Sequence, residues 1–238
     1  MARSSIDEVA PDIFRIANFA PDGRLLFAQF LIRDDQPLLF HTGAKSIYDN
    51  TLNAVSRLID PKRLRYVSWS HLEGDECGAL NNFLAEVPQL EPVQCAIGAR
   101  YGADFFDRPV SVIDDDYVLN LGTRKLRFMA TPHVPHSWDA ICAYEETTGT
   151  LLVSDLFTVF GEQPAVTSHD IVEPSITALK AIPDYLPVGP HVNKTFARLE
   201  ALQPRTLAGH HAPTFIGDAT QALRDLRGEL FRLHGMTG

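Results

Sequence analysis

The chain has 238 residues, 45% apolar and 21% charged, with a net charge of −9 at pH 7. Such a length and composition describe an ordinary globular protein with a sizeable core, and the acidic balance argues against nucleic acid or an anionic membrane as partner. No apolar run reaches the roughly 18–20 residues of a membrane span, the first nine residues lack the apolar stretch of a leader, and three widely spaced cysteines (Cys77, Cys95, Cys142) suit a reducing cytoplasm better than a disulfide framework.

The first third reads as strands and turns. Residues 13–16 alternate in polarity, and Pro21-Asp22-Gly23-Arg24 marks a turn. Two further strands are predicted over 25–32 and 37–41, separated by the polar turn Arg33-Asp34-Asp35-Gln36. A helix over 46–59 would carry Tyr48, Leu52, Val55 and Leu58 on one face and stop before Pro61. Residues 64–69 then form a strand, 78–85 a helix and 93–96 a strand. Strands over 117–120 and 125–130 flank the turn at Gly122-Thr123, and 140–144 with 151–154 make a hairpin around Thr147-Thr148-Gly149. Residues 163–190 read as Pro-rich connections. A helix over 192–202, a strand over 206–208 and a terminal helix over 219–233 complete the chain. Strands mixed with helices throughout suggest helices packed outside β-sheets, in a single domain over 1–238.

The most informative segment is Ser70-His71-Leu72-Glu73-Gly74-Asp75-Glu76-Cys77-Gly78. It follows a hydrophobic strand. In an extended loop, His71, Glu73 and Asp75 would point to one side, because side chains alternate. Such groups crowd together stably when a cation sits among them. Taken alone, the segment reads equally as a polar loop of solvated charges. Three more strand-end pieces carry ligand chemistry: His133 and His136 in Thr131-Pro132-His133-Val134-Pro135-His136-Ser137, Asp155 in Val153-Ser154-Asp155-Leu156-Phe157, and His210-His211 before Ala212-Pro213. Asp155 could equally be a turn or helix-capping residue.

The ordered set His-x-Glu-x-Asp, His, Asp, His resembles the metallo-β-lactamase-like domain of flavodiiron proteins. More closely it resembles the shorter oxygen-binding diiron proteins, which lack the flavodoxin domain. Pro37-Leu38-Leu39-Phe40-His41-Thr42-Gly43 and Phe215-Ile216-Gly217-Asp218 belong to the same likeness. The resemblance implies an αβ/βα sandwich of two mixed β-sheets flanked by helices. It implies that His71, Glu73 and His136 bind one metal, that Asp75 and His211 bind the other, and that Asp155 bridges them. Glu76 stands where relatives often have His and is either an additional ligand, a partner of bound water or solvent-facing. His210 fills a place usually held by a non-ligand, and His133 would orient a ligand through a hydrogen bond.

Hydrolytic members of the fold show an imidazole-rich His-x-His-x-Asp-His motif that suits zinc. Carboxylates at Glu73 and Glu76 shift the preference to iron, with zinc or manganese as substitutes. The reading is a non-haem diiron protein that binds dioxygen, and for which reduction of dioxygen or nitric oxide is open. It would act as an oxygen sensor with a signalling partner or as a reductase with a separate electron donor, since no flavin-binding or iron–sulfur motif is visible. A homodimer is compatible with it. The alternative is a dinuclear hydrolase of an ester, thioester or phosphodiester. Trp69, Trp138, Phe157 and Phe160 are candidates to line the pocket, and Cys77 beside the ligands is either redox-tuning or an inert buried thiol.

Overall fold

The computed structural model describes residues 4–19 and 23–236, so the turn expected over 21–24 lies partly outside the described residues. Among these residues fourteen strands form two sheets of seven. The first contains β1 (Ser5–Ala10), β2 (Ile13–Phe19), β3 (Leu26–Ile32), β4 (Leu38–Phe40), β5 (Tyr66–Ser68), β6 (Glu91–Cys95) and β7 (Ser111–Ile113), in that spatial order. Its first four strands pair antiparallel and β4 to β7 pair parallel. The second contains β8 (Val118–Asn120), β9 (Lys125–Ala130), β10 (Ile141–Glu145), β11 (Thr150–Ser154), β12 (Val166–Thr167), β13 (Thr206–Gly209) and β14 (Thr214–Ile216), ordered β12-β14-β13-β11-β10-β9-β8. Here β11 and β13 are parallel, and β12 with β14, while the other pairs are antiparallel.

The central strands, such as β2, β3, β4 and β11, are buried on both faces, and alternation decides which core each residue joins. Phe30, Leu38, Phe40, Phe128, Ile141, Ala143, Leu152 and Ala208 fill the space between the sheets. Their neighbours Leu31 and Leu39 face outward against α1 (Tyr48–Ser56) and the later helix carrying Leu80 and Phe83. Likewise Met129, Cys142, Leu151 and Val153 face three helices near the C-terminus through Ile176, Leu179, Phe196, Leu199, Leu223 and Leu226. The result is helices, sheet, sheet, helices, as the resemblance implies. No helix among the described residues is long and apolar enough to cross a membrane.

The remaining helices are α2 (Gly74–Cys77), α3 (Leu80–Glu86), α4 (Ala96–Gly102), α5 (Val172–Ala181), α6 (Val192–Ala201) and α7 (Ala219–Leu233). The helix expected over 46–59 is shorter, beginning as a tight 3-10 turn at Lys45–Ile47 and ending at Ser56. The stretch over 163–190, read as connections, contains α5 and β12. Pro174 is tolerated in the first turn of α5, where backbone N–H groups have no helical partner. Asp170 serves two of those N–H groups instead, accepting from Val172 at 2.8 Å and Glu173 at 3.3 Å. The sequence reading also missed β1, β7, β14 and α4. In α4 the buried residues are Gly98 and Gly102, so its inner face carries no apolar pattern to read.

Gly78 is where the chain leaving α2 meets the start of the first helix layer. A Cβ there would collide with the Gly74 carbonyl oxygen and come within 3.2 Å of the Lys45 backbone nitrogen. Backbone on both sides cannot step aside. Gly78→Ala is expected to cost about 1–3 kcal/mol, the usual range for overpacking, seen as a lower urea midpoint at unchanged slope. An unchanged midpoint would contradict this close approach.

Candidate metal centre

β4 and β5 run parallel, and β9, β11 and β13 share one direction, because β10 is antiparallel to both β9 and β11. The loops leaving these strands deliver the chemistry: His41 after β4, Ser70 to Glu76 after β5, His136 after β9, Asp155 after β11, and His210 with His211 after β13. Several residues in these loops hold a left-handed backbone without being glycine: His41 (φ 66°), His133 (φ 63°), Ser137 (φ 62°), Ser154 (φ 54°) and Phe157 (φ 65°). Strain of this kind persists where surrounding contacts enforce it, often at functional sites.

The first motif is not the uniform extended loop expected from alternation. Glu73 is extended (φ −133°, ψ 164°), but α2 starts at Gly74, and the Cys77 and Gly78 N–H groups donate to the carbonyls of Glu73 and Gly74. Asp75 and Glu76 therefore sit on a helical turn. The motif splits, with His71 and Glu73 meeting His136, Asp75 meeting His210 and His211, and Glu76 reaching both sets.

Two adjoining groups result. In one, His136 Nε2 lies 2.9 Å from His71 Nε2, 3.3 Å from Glu73 Oε1 and 3.1 Å from Asp155 Oδ2. In the other, His211 Nε2 lies 3.4 Å from Asp75 Oδ2 and 3.6 Å from Asp155 Oδ1, and His210 Nε2 lies 3.7 Å from Asp75 Oδ2 and 3.6 Å from Glu76 Oε1. Asp155 thus turns one oxygen to each group. Glu76 Oε1 also lies between them, 3.9 Å from His71 Nε2. Both oxygens of Asp155, both of Glu76 and His210 Nε2 are buried without a hydrogen-bond partner. Buried groups of this kind are costly unless something outside the protein partners them. Their convergence with imidazole nitrogens fits a pair of cations.

The far sides of the rings are anchored. His136 Nδ1 reaches the Tyr185 carbonyl at 3.0 Å, His211 Nδ1 the Leu26 carbonyl at 2.8 Å, and His210 Nδ1 the Ala28 carbonyl at 2.8 Å. A carbonyl only accepts, so each of these nitrogens carries a proton and Nε2 is the ring atom left to ligate. Asp139, 2% exposed, joins two site loops by accepting from the Leu72 N–H at 2.9 Å and the Ser137 hydroxyl at 2.6 Å.

The charges respond to one another. Hydrogen bonds from His136 and His71 hold Glu73 down to about 2. Burial opposes ionisation of Asp75 and Asp155, yet the imidazoles win: His210 and His211 hold Asp75, and His211 and His136 hold Asp155, well below the usual carboxylate range. Glu76 goes the other way, pushed well above its ordinary value by burial and then by Asp155, Asp75 and Glu73. Burial would lower His136 and His211, but carboxylates outweigh it. Asp155 and Glu73 raise His136 to about 10, and Asp155 with Asp75 raises His211.

Of the residues singled out in the sequence, His71, Glu73, Asp75, Glu76, His136, Asp155, His210 and His211 come together. His133 does not. It is exposed and stacks on His191 with ring centroids 6.0 Å apart. The four aromatic candidates for the pocket wall are placed elsewhere. Trp69 and Phe157 belong to hydrophobic cores, Trp138 packs on Tyr101 at the surface, and Phe160 is 37% exposed. The rings that do face the cluster are Phe27, stacked on His210 and tilted against His211, and Tyr185, edge-on to His136. Cys77 is buried, donates to the Glu73 carbonyl and is pushed up to about 12 by that burial, which marks an inert thiol. The reading of the sequence also missed His41 and Ser154, although His41 ends an apolar strand just as the other histidines follow theirs.

The family described as ODP family beta lactamase matches residues 25–212. The rubredoxin-oxygen oxidoreductase of Megalodesulfovibrio gigas is 26% identical over 162 residues, 67% of this chain and 36% of that protein. Diflavin flavoprotein A 1 of Synechocystis sp. is 25% identical over 200 residues, 79% of this chain and 33% of that protein. The chain thus spans about a third of the length of these curated relatives. Among solved structures, the rubredoxin oxygen:oxidoreductase of Desulfovibrio gigas has a TM-score of 0.83 at 19% identity, covering 94% of this chain and 61% of that one. The metal-soaked Flv1 flavodiiron core of Synechocystis sp. has a TM-score of 0.82 at 20% identity, covering 96% and 61%.

Two outcomes are expected. Asp155→Ala, which removes the carboxylate shared by both groups, should abolish uptake of a second ion per chain, whereas His133→Ala should leave uptake intact; elemental analysis after dialysis reads both, and the reverse ranking would refute the arrangement. Second, the neighbouring carboxylates raise His136 to about 10, so at neutral pH in the ion-free chain it carries a second proton that it must lose to ligate. Loading at neutral pH should therefore release at least about one proton per chain, and affinity should rise with pH as His136 approaches its value of about 10. A pH-stat trace without acidification would contradict this.

Proposed function

Since the chain belongs to the ODP beta-lactamase family and carries the metallo-β-lactamase-like fold of the flavodiiron proteins, we propose that it is a non-haem diiron protein that binds dioxygen. The observation that carries this reading is the divided carboxylate: Asp155 offers Oδ2 to His71 and His136 and Oδ1 to His211. In this reading His71, Glu73 and His136 hold one iron, Asp75 and His211 hold the other with Glu76 and His210 facing it, and Asp155 serves both. Four carboxylates balance the charge of two divalent ions. Their hard oxygens favour iron over zinc and weigh against a hydrolase on the same fold.

A pair of ferrous ions would supply two electrons to a bound diatomic molecule, dioxygen or nitric oxide. The protein shapes access to that chemistry. Phe27 covers the two histidines after β13 with an apolar face. Tyr185 closes the His136 side, its hydroxyl 3.5 Å from that of Thr158, and burial together with Asp155 pushes its phenol well above the ordinary range, so it stays protonated. Glu73, with 46% of its side chain exposed, faces the entry. A small apolar gas enters such a site readily, while bulk water is held off the buried oxygens. Sustained turnover draws electrons from a separate donor protein, and sensing requires a partner that reads the ligand state.

Protein produced in iron-replete, zinc-limited cells should contain about two irons per chain and change its absorption on anaerobic titration with dioxygen. Zinc at that stoichiometry, ester hydrolysis and no response to dioxygen would overturn the reading.

A further inference from the structure

Behind the cluster lies a buried polar array to which the proposed ligand set gives no role. His41 and Ser154 are 1% exposed and Ser70 is fully buried. His41 Nδ1 is 3.0 Å from His210 Nδ1, and His41 Nε2 is 3.0 Å from Ser70 Oγ. Ser70 Oγ in turn is 2.9 Å from His71 Nδ1 and 2.7 Å from Ser154 Oγ. The array therefore connects a ring of one ion-binding group to a ring of the other without passing between them.

Proton positions along it follow by elimination. His210 Nδ1 carries its proton, because the Ala28 carbonyl 2.8 Å away can only accept. His41 Nδ1 also faces that carbonyl, at 3.4 Å, and donates to it. His41 Nε2 is then bare. The Ser154 hydroxyl donates to Ser70 Oγ at 2.7 Å. Ser70 has one proton of its own and two places to send it. Sent to His71 Nδ1, it forces the His71 proton onto Nε2, which blocks the nitrogen aimed at Glu73 and Asp155. Sent to His41 Nε2, it leaves Ser70 free to accept from His71 Nδ1–H as well as from Ser154, and His71 Nε2 is bare. Ser154 holds its hydroxyl there at the expense of a left-handed backbone, where strand β11 slips register against β13. The neighbouring loop is tied to it, with the His210 N–H donating to the Ser154 carbonyl at 2.8 Å.

We propose that His41, Ser70 and Ser154 are positioning residues that hold His71 and His210 in the same tautomer, protonated on Nδ1, so that both rings present a bare Nε2 to the two ions. This rests on the reading of the cluster as a metal centre. His41 Nε2 is the acceptor that turns the Ser70 hydroxyl away from His71, the Ser154 hydroxyl donates to Ser70 and holds it in place, and the Ala28 carbonyl that faces both His41 Nδ1 and His210 Nδ1 joins the arrangement to His210. His210 is thereby set as a ligand of the second ion.

The test uses the full chain with 15N-labelled histidine, loaded with Zn(II) as a diamagnetic probe, and long-range proton–nitrogen NMR to read each tautomer. In the wild type, His71 and His210 should both show Nδ1–H. Ser154→Gly removes the hydroxyl yet suits the left-handed backbone; Ser70→Ala removes the hub. Each should lower Zn(II) affinity by about 10–100-fold, the usual loss when a ligand's hydrogen-bond partner is deleted. His41→Gly, which suits the left-handed backbone there and removes the acceptor of the Ser70 proton, should shift His71 toward Nε2–H in the metal-free chain, and Ser70→Thr should restore wild-type behaviour. Nε2–H on His71 in the loaded wild type, or Ser154→Gly and Ser70→Ala within about twofold of wild-type affinity with the His71 tautomer unchanged in His41→Gly, would overturn the array alone. A wild-type chain that takes up no ion would overturn both this inference and the metal-centre reading.

Discussion

Four carboxyl oxygens, two from Asp155 and two from Glu76, lie buried with no hydrogen-bond partner. Burying an ion uncompensated costs several kcal/mol, and the effect compounds when like charges share one space. The site loops can fold to this point only because imidazoles, and in the proposed state cations, face the same oxygens. Each neighbouring feature follows from that demand: the depressed Asp75 and Asp155, the raised Glu76, and rings whose far nitrogens are tied to carbonyls.

The sandwich supplies the convergence. Parallel pairing of β4 with β5 and of β11 with β13 sends their loops to one edge, so side chains far apart in the chain meet without long excursions. Sheets buried on both faces make those strand ends rigid. The left-handed residues at His41, Ser137 and Ser154 turn the chain sharply at the strand ends and loops that face the site. Asp139 then ties the loop bearing His136 to the loop bearing His71 and Glu73. Side chains supported in this way keep their separation without a bound ion.

Much of this could be read from the residues. Apolar runs followed by His or Asp pointed to His71, His136, Asp155 and His211, the acidic motif after β5 to Glu73, Asp75 and Glu76, and the spans 125–130 and 219–233 match β9 and α7. Helix α4 escaped because its buried face is glycine, and α5 because Pro174 and its loop-like neighbours outweighed Val172, Ile176 and Leu179 at helical spacing. Extended alternation misjudged the first motif, since the helical turn at Gly74 is tied to residues outside the segment, the Thr42 N–H donating to the Glu76 carbonyl and the Ala79 N–H to the Gly43 carbonyl. His41 was passed over for a similar reason. Its role is defined by His210, 169 positions away, and no local pattern encodes that meeting.

The unequal exposure of the carboxylates carries one more consequence. Glu73 keeps 46% of its side chain in contact with water, whereas Asp155 keeps 1%. A chelator strips a centre by displacing ligands singly, and Glu73 is the carboxylate whose detachment strands no charge in the interior. In the proposed diiron state, extraction and exchange would therefore start at the half that Glu73 serves. The halfway species would be a singly filled centre, the order of demetallation being set by which side chain meets solvent.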